Sequence, residues 1–378
     1  MNSTRCRHIT KIEQVKQLSR QERQQLKEVT EQFSFRCNDY YLSLIDWNDP
    51  NDPIRKVIIP QVQELQQWGR LDASNEKKHT VLPGLEHKYN STVLLLISNV
   101  CECTCRYCFR KRIFQKNRQE YLRDIPAALE YIKMRPGITN VLLSGGDPLA
   151  LKTSKLANIV RQLREIDHIR VIRIGTKTPA FYPFRIINDP ALLKMVETYS
   201  KPRRKIYFIT HFVHPRELTD PAVQAVSLLQ KAGAVIANQT PVIKAVNDNA
   251  QTMAQLFSKL SFVGAPVYYV FQCRPTAGNK CFMVPLEKAY EIIEQAKSQV
   301  SGLAKRVRFV MSHSSGKIEV VAVTQELIHF KYHRAAARRD SNRFMTFERN
   351  GTAYWFDDYD KVVSDCPDKL QLSTWPAK

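Results

Sequence analysis

The chain predicts a mixed α/β protein. A full or partial (β/α) TIM-like barrel follows a helical N-terminal region and precedes a C-terminal antiparallel β extension. Three observations carry this reading. Seven short apolar, β-branched runs recur with starts 28 to 47 residues apart. The stretches between them space their apolar residues as helices do. After residue 317 the helical stretches stop and short strand-like runs follow one another.

Residues 1–90 form the N-terminal region. Ile12–Phe33 is rich in Gln, Glu, Lys and Arg with spaced Val, Leu and Phe, and Val57–Trp68 also has helical spacing. Between them Asp46–Lys56, with two Asp-Pro steps, reads as a connector. The barrel occupies residues 91–317. Its strands are Val93–Ser98, Asn140–Ser144, Arg170–Ile174, Ile206–Thr210, Ala234–Ala237, Val267–Phe271 and Val307–Met311. Leu156–Ile166, Pro221–Ala232 and Leu286–Val300 are among the intervening helices. This alternation builds a parallel sheet. A doubly wound sheet shares it, and periodicity does not separate the two. In residues 318–378, the runs Ile318–Val323, Leu327–Tyr332, Arg343–Glu348 and Ala353–Asp357 read as an antiparallel meander.

Composition limits the function. With 378 residues, 43% hydrophobic and 25% charged, the chain can bury a large core, which excludes wholesale disorder. No apolar run approaches the roughly 20 residues of a membrane span, and the N-terminus lacks a secretory apolar segment. A cytoplasmic protein without a membrane partner is expected. Lys plus Arg is 57 against 36 for Asp plus Glu, a net +21 that draws anions. The basic residues are scattered without an aromatic-interleaved patch, which argues against a nucleic-acid partner. Nine cysteines are an odd count and argue against a disulfide framework.

Four of those cysteines, Cys101, Cys103, Cys105 and Cys108, crowd one loop after the first barrel strand. Thiolates at 101, 105 and 108 can hold three irons of a [4Fe–4S] cluster and leave the fourth iron open to another ligand. A zinc site would want a second ligand pair, and no paired C-x2-C or H-x3-H follows. Cys103 reads as a bystander. One β-unit later comes VLLSGGDPL, Val141–Leu149. There Ser144, Gly145, Gly146 and Asp147 end a strand in a turn where glycine admits close approach or positive φ.

These motifs, with CRYCFRKRIF (Cys105–Phe114), RIGTKTP (Arg173–Pro179), THFVHPRE (Thr210–Glu217), ANQTPVIKAVND (Ala237–Asp248), YVFQC (Tyr269–Cys273) and SGK (Ser315–Lys317), resemble in order the lysine 2,3-aminomutase family. That family lies within the radical S-adenosylmethionine superfamily, and the resemblance covers about residues 85–320. It implies three cofactors: the [4Fe–4S] cluster on Cys101, Cys105 and Cys108, S-adenosyl-L-methionine on its open iron, and pyridoxal 5′-phosphate. One electron, from a donor such as a flavodoxin or ferredoxin, cleaves S-adenosylmethionine to a 5′-deoxyadenosyl radical. That radical takes a hydrogen from the substrate, and an amino group moves from C2 to C3 of a small amino acid. The resemblance places the pyridoxal on Lys317, its phosphate near Lys88, and the substrate α-carboxylate on Arg110. It makes His211, Gln239 and the Ser144–Asp147 turn cofactor contacts. It leaves oligomeric association open.

Four departures matter. Thr92 stands where a second phosphate arginine is expected. Arg274 and Ser312 stand where two aspartates would grip a lysine's distal ammonium. An arginine there repels an ammonium in a dry pocket. Free lysine is disfavoured, and an acidic amino acid is favoured by charge complementarity. HSSGK replaces a run of glycines before Lys317. With Asn249 at the upstream position and only Cys366 downstream, the family's zinc is not expected. The competing readings are a decarboxylase with the same cofactors, a lysine aminomutase serving translation-factor modification, and a nucleic-acid-modifying radical enzyme.

Overall fold

A computed structural model describes residues 6–115 and 120–366. Seven strands, Thr92–Ser98, Asn140–Gly145, Val171–Thr176, Ile206–Thr210, Val235–Pro241, Val267–Phe271 and Arg308–His313, pair in parallel and in chain order. Strand order without reversal excludes the doubly wound alternative. The ladder order is linear, and no pairing among the described residues joins the first parallel strand to the seventh. A large parallel sheet is therefore seen, and a closed barrel is not.

The helices between the strands pack on one another in sequence: Ile125–Lys133 on Thr153–Arg164, that helix on Pro190–Tyr199, and that one on Asp220–Lys231. Their starts are set locally. Asp124, Asp189 and Thr219 each accept a hydrogen bond from a first-turn N–H, and a proline follows in the first turn. Asn249 caps Ala250–Phe262 in the same way. Beneath these helices lie Val141, Leu143, Ile172, Ile174 and Ile236, one side of the alternating strands. The other side is half-exposed and carries Ser144, Arg173, Gly175 and Gln239. That polar face holds the site.

Both edges of the parallel sheet continue antiparallel. Thr80–Leu82 and Leu85–Tyr89 extend it from the N-terminal side, so residues 1–90 are not wholly helical. Ile12–Phe33 is a 3-10 turn, Ile12–Gln14, followed by a helix, Arg20–Gln32, capped by Ser19. Val57–Trp68 is also broken. A helix, Pro53–Ile58, begins inside the expected connector because Asp52 caps it and Pro53 opens it. It ends before Pro60.

At the other edge Gly316–Val323, Leu327–Ala335, Phe344–Glu348 and Val362–Cys366 form the meander. The fourth strand is not Ala353–Asp357. Asp358 accepts from the Tyr354 and Trp355 N–H groups, winding that stretch into a turn whose Phe356 packs on Phe330 and Phe347. Val362 and Val363 are exposed side by side, which hides the real strand from an alternation test. Of the expected extension, residues 367–378 lie outside the described residues. No helix of the described residues is long and apolar enough to cross a membrane.

Candidate active site

The cysteine loop leaves the first parallel strand and is held from below by the N-terminal region. Thr104 N–H donates to Arg36 O and Arg106 N–H to Val57 O, both at 2.8 Å. Arg106, fully buried, grips Glu64 through Nε at 3.0 Å and Nη2 at 2.8 Å. Cys103 points into the packed N-terminal core with Cys37, while Cys101, Cys105 and Cys108 stay partly open. Burial pushes the Cys105 thiol up to about 12, so a bare thiolate is disfavoured there. No three described metal-ligating side chains converge as on a single ion. A cluster spreads three thiolates over separate irons, and this donor set suits one.

Gly145 and Gly146 seat the second strand's turn against that loop. A Cβ on Gly145, which has φ +118°, would lie 2.2 Å from Ser98 O, and one on Gly146 would lie 2.4 Å from Val100 O. The Gly146 N–H donates to Ser98 O at 2.7 Å and the Asp147 N–H to Val100 O at 2.8 Å. The close approach required here is to the chain's own cysteine loop. The Asp147 carboxylate is fully engaged: it accepts from Leu149, Lys177 and Thr178 N–H and from the Thr176 and Thr178 hydroxyls. It clamps the second strand's turn to the third.

Around the rim, Lys177 donates to the His211 carbonyl at 2.7 Å and to buried Glu217 at 2.6 Å. His211 Nε2 lies 3.2 Å from the Tyr107 hydroxyl. Burial, aided by Lys177, brings its pKa down to about 3, so the imidazole is neutral. Gln239 Oε1 accepts from the Tyr268 hydroxyl at 3.4 Å.

Arg110 Nη1 donates to Ser144 Oγ at 3.2 Å, while its Nε and Nη2 reach the two oxygens of Glu76. Arg112 Nη2, at 2.5 Å, and Arg274 Nη1, at 3.4 Å, bind the same carboxylate. Arg274 stacks 3.6 Å above the Phe109 ring. Three guanidiniums thus share one buried carboxylate. Burial opposes its charge, yet Arg110, Arg274 and Arg112 hold Glu76 well below the usual carboxylate range.

Lys317 stands on the antiparallel strand, directly opposite Ser312 of the seventh parallel strand. Its ammonium sits among the rings of Tyr89, Tyr269 and Phe271, with centroids 5.4 to 5.9 Å away. Burial comes first, then the charges of Arg274, Lys88, Arg173 and Arg334, and together they bring its pKa well below the usual lysine range. Lys88 donates to the His313 carbonyl. Burial and Arg274 take its pKa down to about 8. An amine whose charge is disfavoured and which is ringed by aromatics suits capture of a carbonyl group such as that of pyridoxal phosphate.

Of the expected site residues, Ser144, His211, Arg274 and Ser312 thus stand at or just past the C-terminal ends of parallel strands, while Lys88 and Lys317 come from the flanking antiparallel strands. Glu76, Glu86, Tyr89 and Arg334 were not anticipated. Glu76 and Glu86 lie in a stretch whose sequence carries no motif, and Arg334 is remote in the chain.

Residues 95–257 match the family model of the radical SAM superfamily. A protein of Aquifex aeolicus, provisionally named L-lysine 2,3-aminomutase, is 50% identical over 97% of this chain and 98% of its own. The L-lysine 2,3-aminomutase of Clostridium subterminale is 37% identical over 78% of this chain and 71% of its own. That of Escherichia coli is 32% identical over 71% and 78%.

Proposed function

The chain belongs to the lysine 2,3-aminomutase family of radical SAM enzymes, and within it we propose a pyridoxal phosphate-dependent 2,3-aminomutase whose substrate is an amino acid other than free lysine, with an acidic one favoured. The observation that carries the substrate reading is the sharing of Glu76 by Arg110, Arg112 and Arg274. Arg274 also acts on Lys317 and Lys88, so its charge reaches the amine where the reaction is centred.

Each role follows from placement. Cys101, Cys105 and Cys108 would hold the cluster, which supplies the electron that cleaves S-adenosylmethionine. Gly145, Gly146, Ser144, His211 and Gln239 line the strand ends where that cofactor would lie, while Asp147 keeps their turns in register. Lys317 would hold pyridoxal phosphate, which stabilises the migrating nitrogen during transfer. Arg110 would orient the substrate by its α-carboxylate through Nη1, since Glu76 holds its Nε and Nη2 edge. Neutral His211 adds no charge to the rim. A small-molecule substrate and a one-electron donor complete the requirements.

The second reading is L-lysine itself, which the names of the relatives attach to those proteins. Anaerobic reconstitution with S-adenosylmethionine, pyridoxal phosphate and a reductant, followed by mass spectrometry of an amino-acid panel, separates the two. 3-Aminopentanedioate formed from glutamate, separated by chromatography from its substrate of equal mass, supports the proposal. Turnover confined to lysine overturns it. Borohydride reduction should leave a pyridoxyl group on the Lys317 peptide, and an unmodified Lys317 would remove the pyridoxal role.

A further inference from the structure

Two cations beside Lys317 have no carboxylate partner among the described residues. Arg334 lies directly opposite Lys317 in the antiparallel ladder, so the two side chains share a face. Its Nη2 donates to Thr92 Oγ1 at 2.8 Å and to Ser91 Oγ at 3.1 Å. Its guanidinium carbon sits 4.2 Å over the Tyr89 ring. The titratable neighbours acting on it are Tyr89, Arg173 and Tyr269, none of them a carboxylate. Arg173, on the polar face of the third parallel strand, has a buried Nε without a hydrogen-bond partner. The Tyr89 hydroxyl is likewise buried and unpartnered. By contrast, Arg274 has the Glu76 carboxylate within reach, while Lys88 gives one of its three donors to the His313 carbonyl and keeps the others.

Buried donors without acceptors and guanidiniums without carboxylates are both costly, and they converge here. Water would satisfy the donors but not the charge. An acceptor-only dianion with several oxygens satisfies both. We propose that Arg334 and Arg173, with the Tyr89 hydroxyl and Lys88, form the seat of a phosphate monoester beside Lys317, with Arg334 supplying from the C-terminal meander the arginine that position 92 lacks. The inference rests on the pyridoxal phosphate reading and deepens it, by naming what grips the phosphate. It also gives Thr92 a role: its hydroxyl aims the guanidinium that replaces an arginine side chain at its own position.

The alternative is that Arg334 only braces the hairpin at Ser91 and Thr92. Equilibrium binding of pyridoxal phosphate and of pyridoxal to the full chain, followed by absorbance, distinguishes the two. Arg334→Gln and Arg173→Gln should each weaken pyridoxal phosphate by about 10- to 100-fold, the range for losing a charged hydrogen bond, and leave pyridoxal affinity unchanged. Thr92→Arg added to Arg334→Gln should recover most of the loss, which a folding defect would not allow. Equal loss for both ligands, or no loss for either, overturns the proposal while the pyridoxal reading stands. If the wild-type chain takes up neither aldehyde, the pyridoxal reading falls. The anion seat is then decided by inorganic phosphate alone: a phosphate-dependent rise in Tm that Arg334→Gln removes upholds it, and no rise overturns it.

Discussion

Glu76 accepts from Arg110 through both of its carboxylate oxygens, at 3.1 and 3.3 Å. This is the bidentate geometry expected of a substrate α-carboxylate, so the chain's own side chain stands on the substrate's fork. Removing it leaves Arg110 and Arg274 facing each other and Arg112, which keeps Glu120 at 2.6 Å and Asp72 at 3.7 Å.

Glu76→Gln should therefore cost about 3–5 kcal/mol at pH 7, the range for breaking a buried pair from one side. The pH dependence follows from the depressed carboxyl pKa. The stabilisation is complete above the unfolded value near 4.5 and is lost as pH falls toward the lower folded value. The gap in Tm between wild type and Glu76→Gln should thus be constant from pH 5 to 7 and shrink below about pH 4. A gap independent of acid would show that the carboxylate's charge is not what the arginines hold.

Glu86 should behave oppositely. Burial, then the charge of Glu76, raises its pKa to about 8, so Glu76 is ionised and Glu86 protonated at neutral pH. A raised folded pKa gives stability that is full below about 4.5 and declines as pH rises toward 8. Glu86→Gln should match wild type near pH 4 and become the more stable protein by pH 8. Thermal melts across that range check the sign.

The Gly-Gly turn makes a steric prediction. A methyl on Gly146 meets the Val100 carbonyl at 2.4 Å, and the surrounding N–H···O bonds to Ser98 and Val100 leave neither backbone free to move. Gly146→Ala should cost about 1–3 kcal/mol, typical of forced overpacking, and lower the iron retained per chain. Gly137→Ala, whose nearest atom would be 3.9 Å away, is the tolerated control. Equal effects would mean that the turn does not support the cysteine loop.

These contacts show what could be read from the chain. The seven parallel strands were legible because each combines a β-branched run with a turn, and the motifs stood at strand ends by periodicity alone. Glu76 was not legible: a buried carboxylate in a polar segment has no pattern, and its partners come from residues 110, 112 and 274. Arg334 escaped for a related reason. Thr92 reads as a missing arginine until the ladder sets Arg334 opposite Lys317. Ala353–Asp357 looked like a strand because Tyr354, Trp355 and Phe356 carry strand propensity, but Asp358 turns the backbone.

The cysteines separate by surroundings. Cys101→Ala, Cys105→Ala and Cys108→Ala should each abolish the iron–sulfur absorbance and S-adenosylmethionine cleavage. Cys103→Ala should keep both, because that side chain is packed beside Cys37, at the cost of some stability from the buried sulfur it removes. Loss of the cluster in Cys103→Ala alone would reverse the ligand assignment.

The last prediction concerns substrate charge. Arg274 lies on Phe109, shares Glu76 with two other arginines and acts on Lys317 and Lys88. Arg274 makes the longest of the arginine contacts to Glu76, at 3.4 Å, and should attract a carboxylate on the substrate side chain through the rest of its planar fork. Removing such a pair typically costs about 2–5 kcal/mol, or roughly 30- to several-thousand-fold in kcat/KM. Arg274→Gln keeps much of the side chain's size and should lower kcat/KM for glutamate by that order without admitting lysine. Arg274→Asp goes further and places a second carboxylate beside Glu76. It should suppress the acidic substrates and admit lysine weakly, since Ser312 offers no second anion. Turnover of glutamate and lysine by wild type and both variants decides the matter, and a wild-type preference for lysine over glutamate would refute the charge argument.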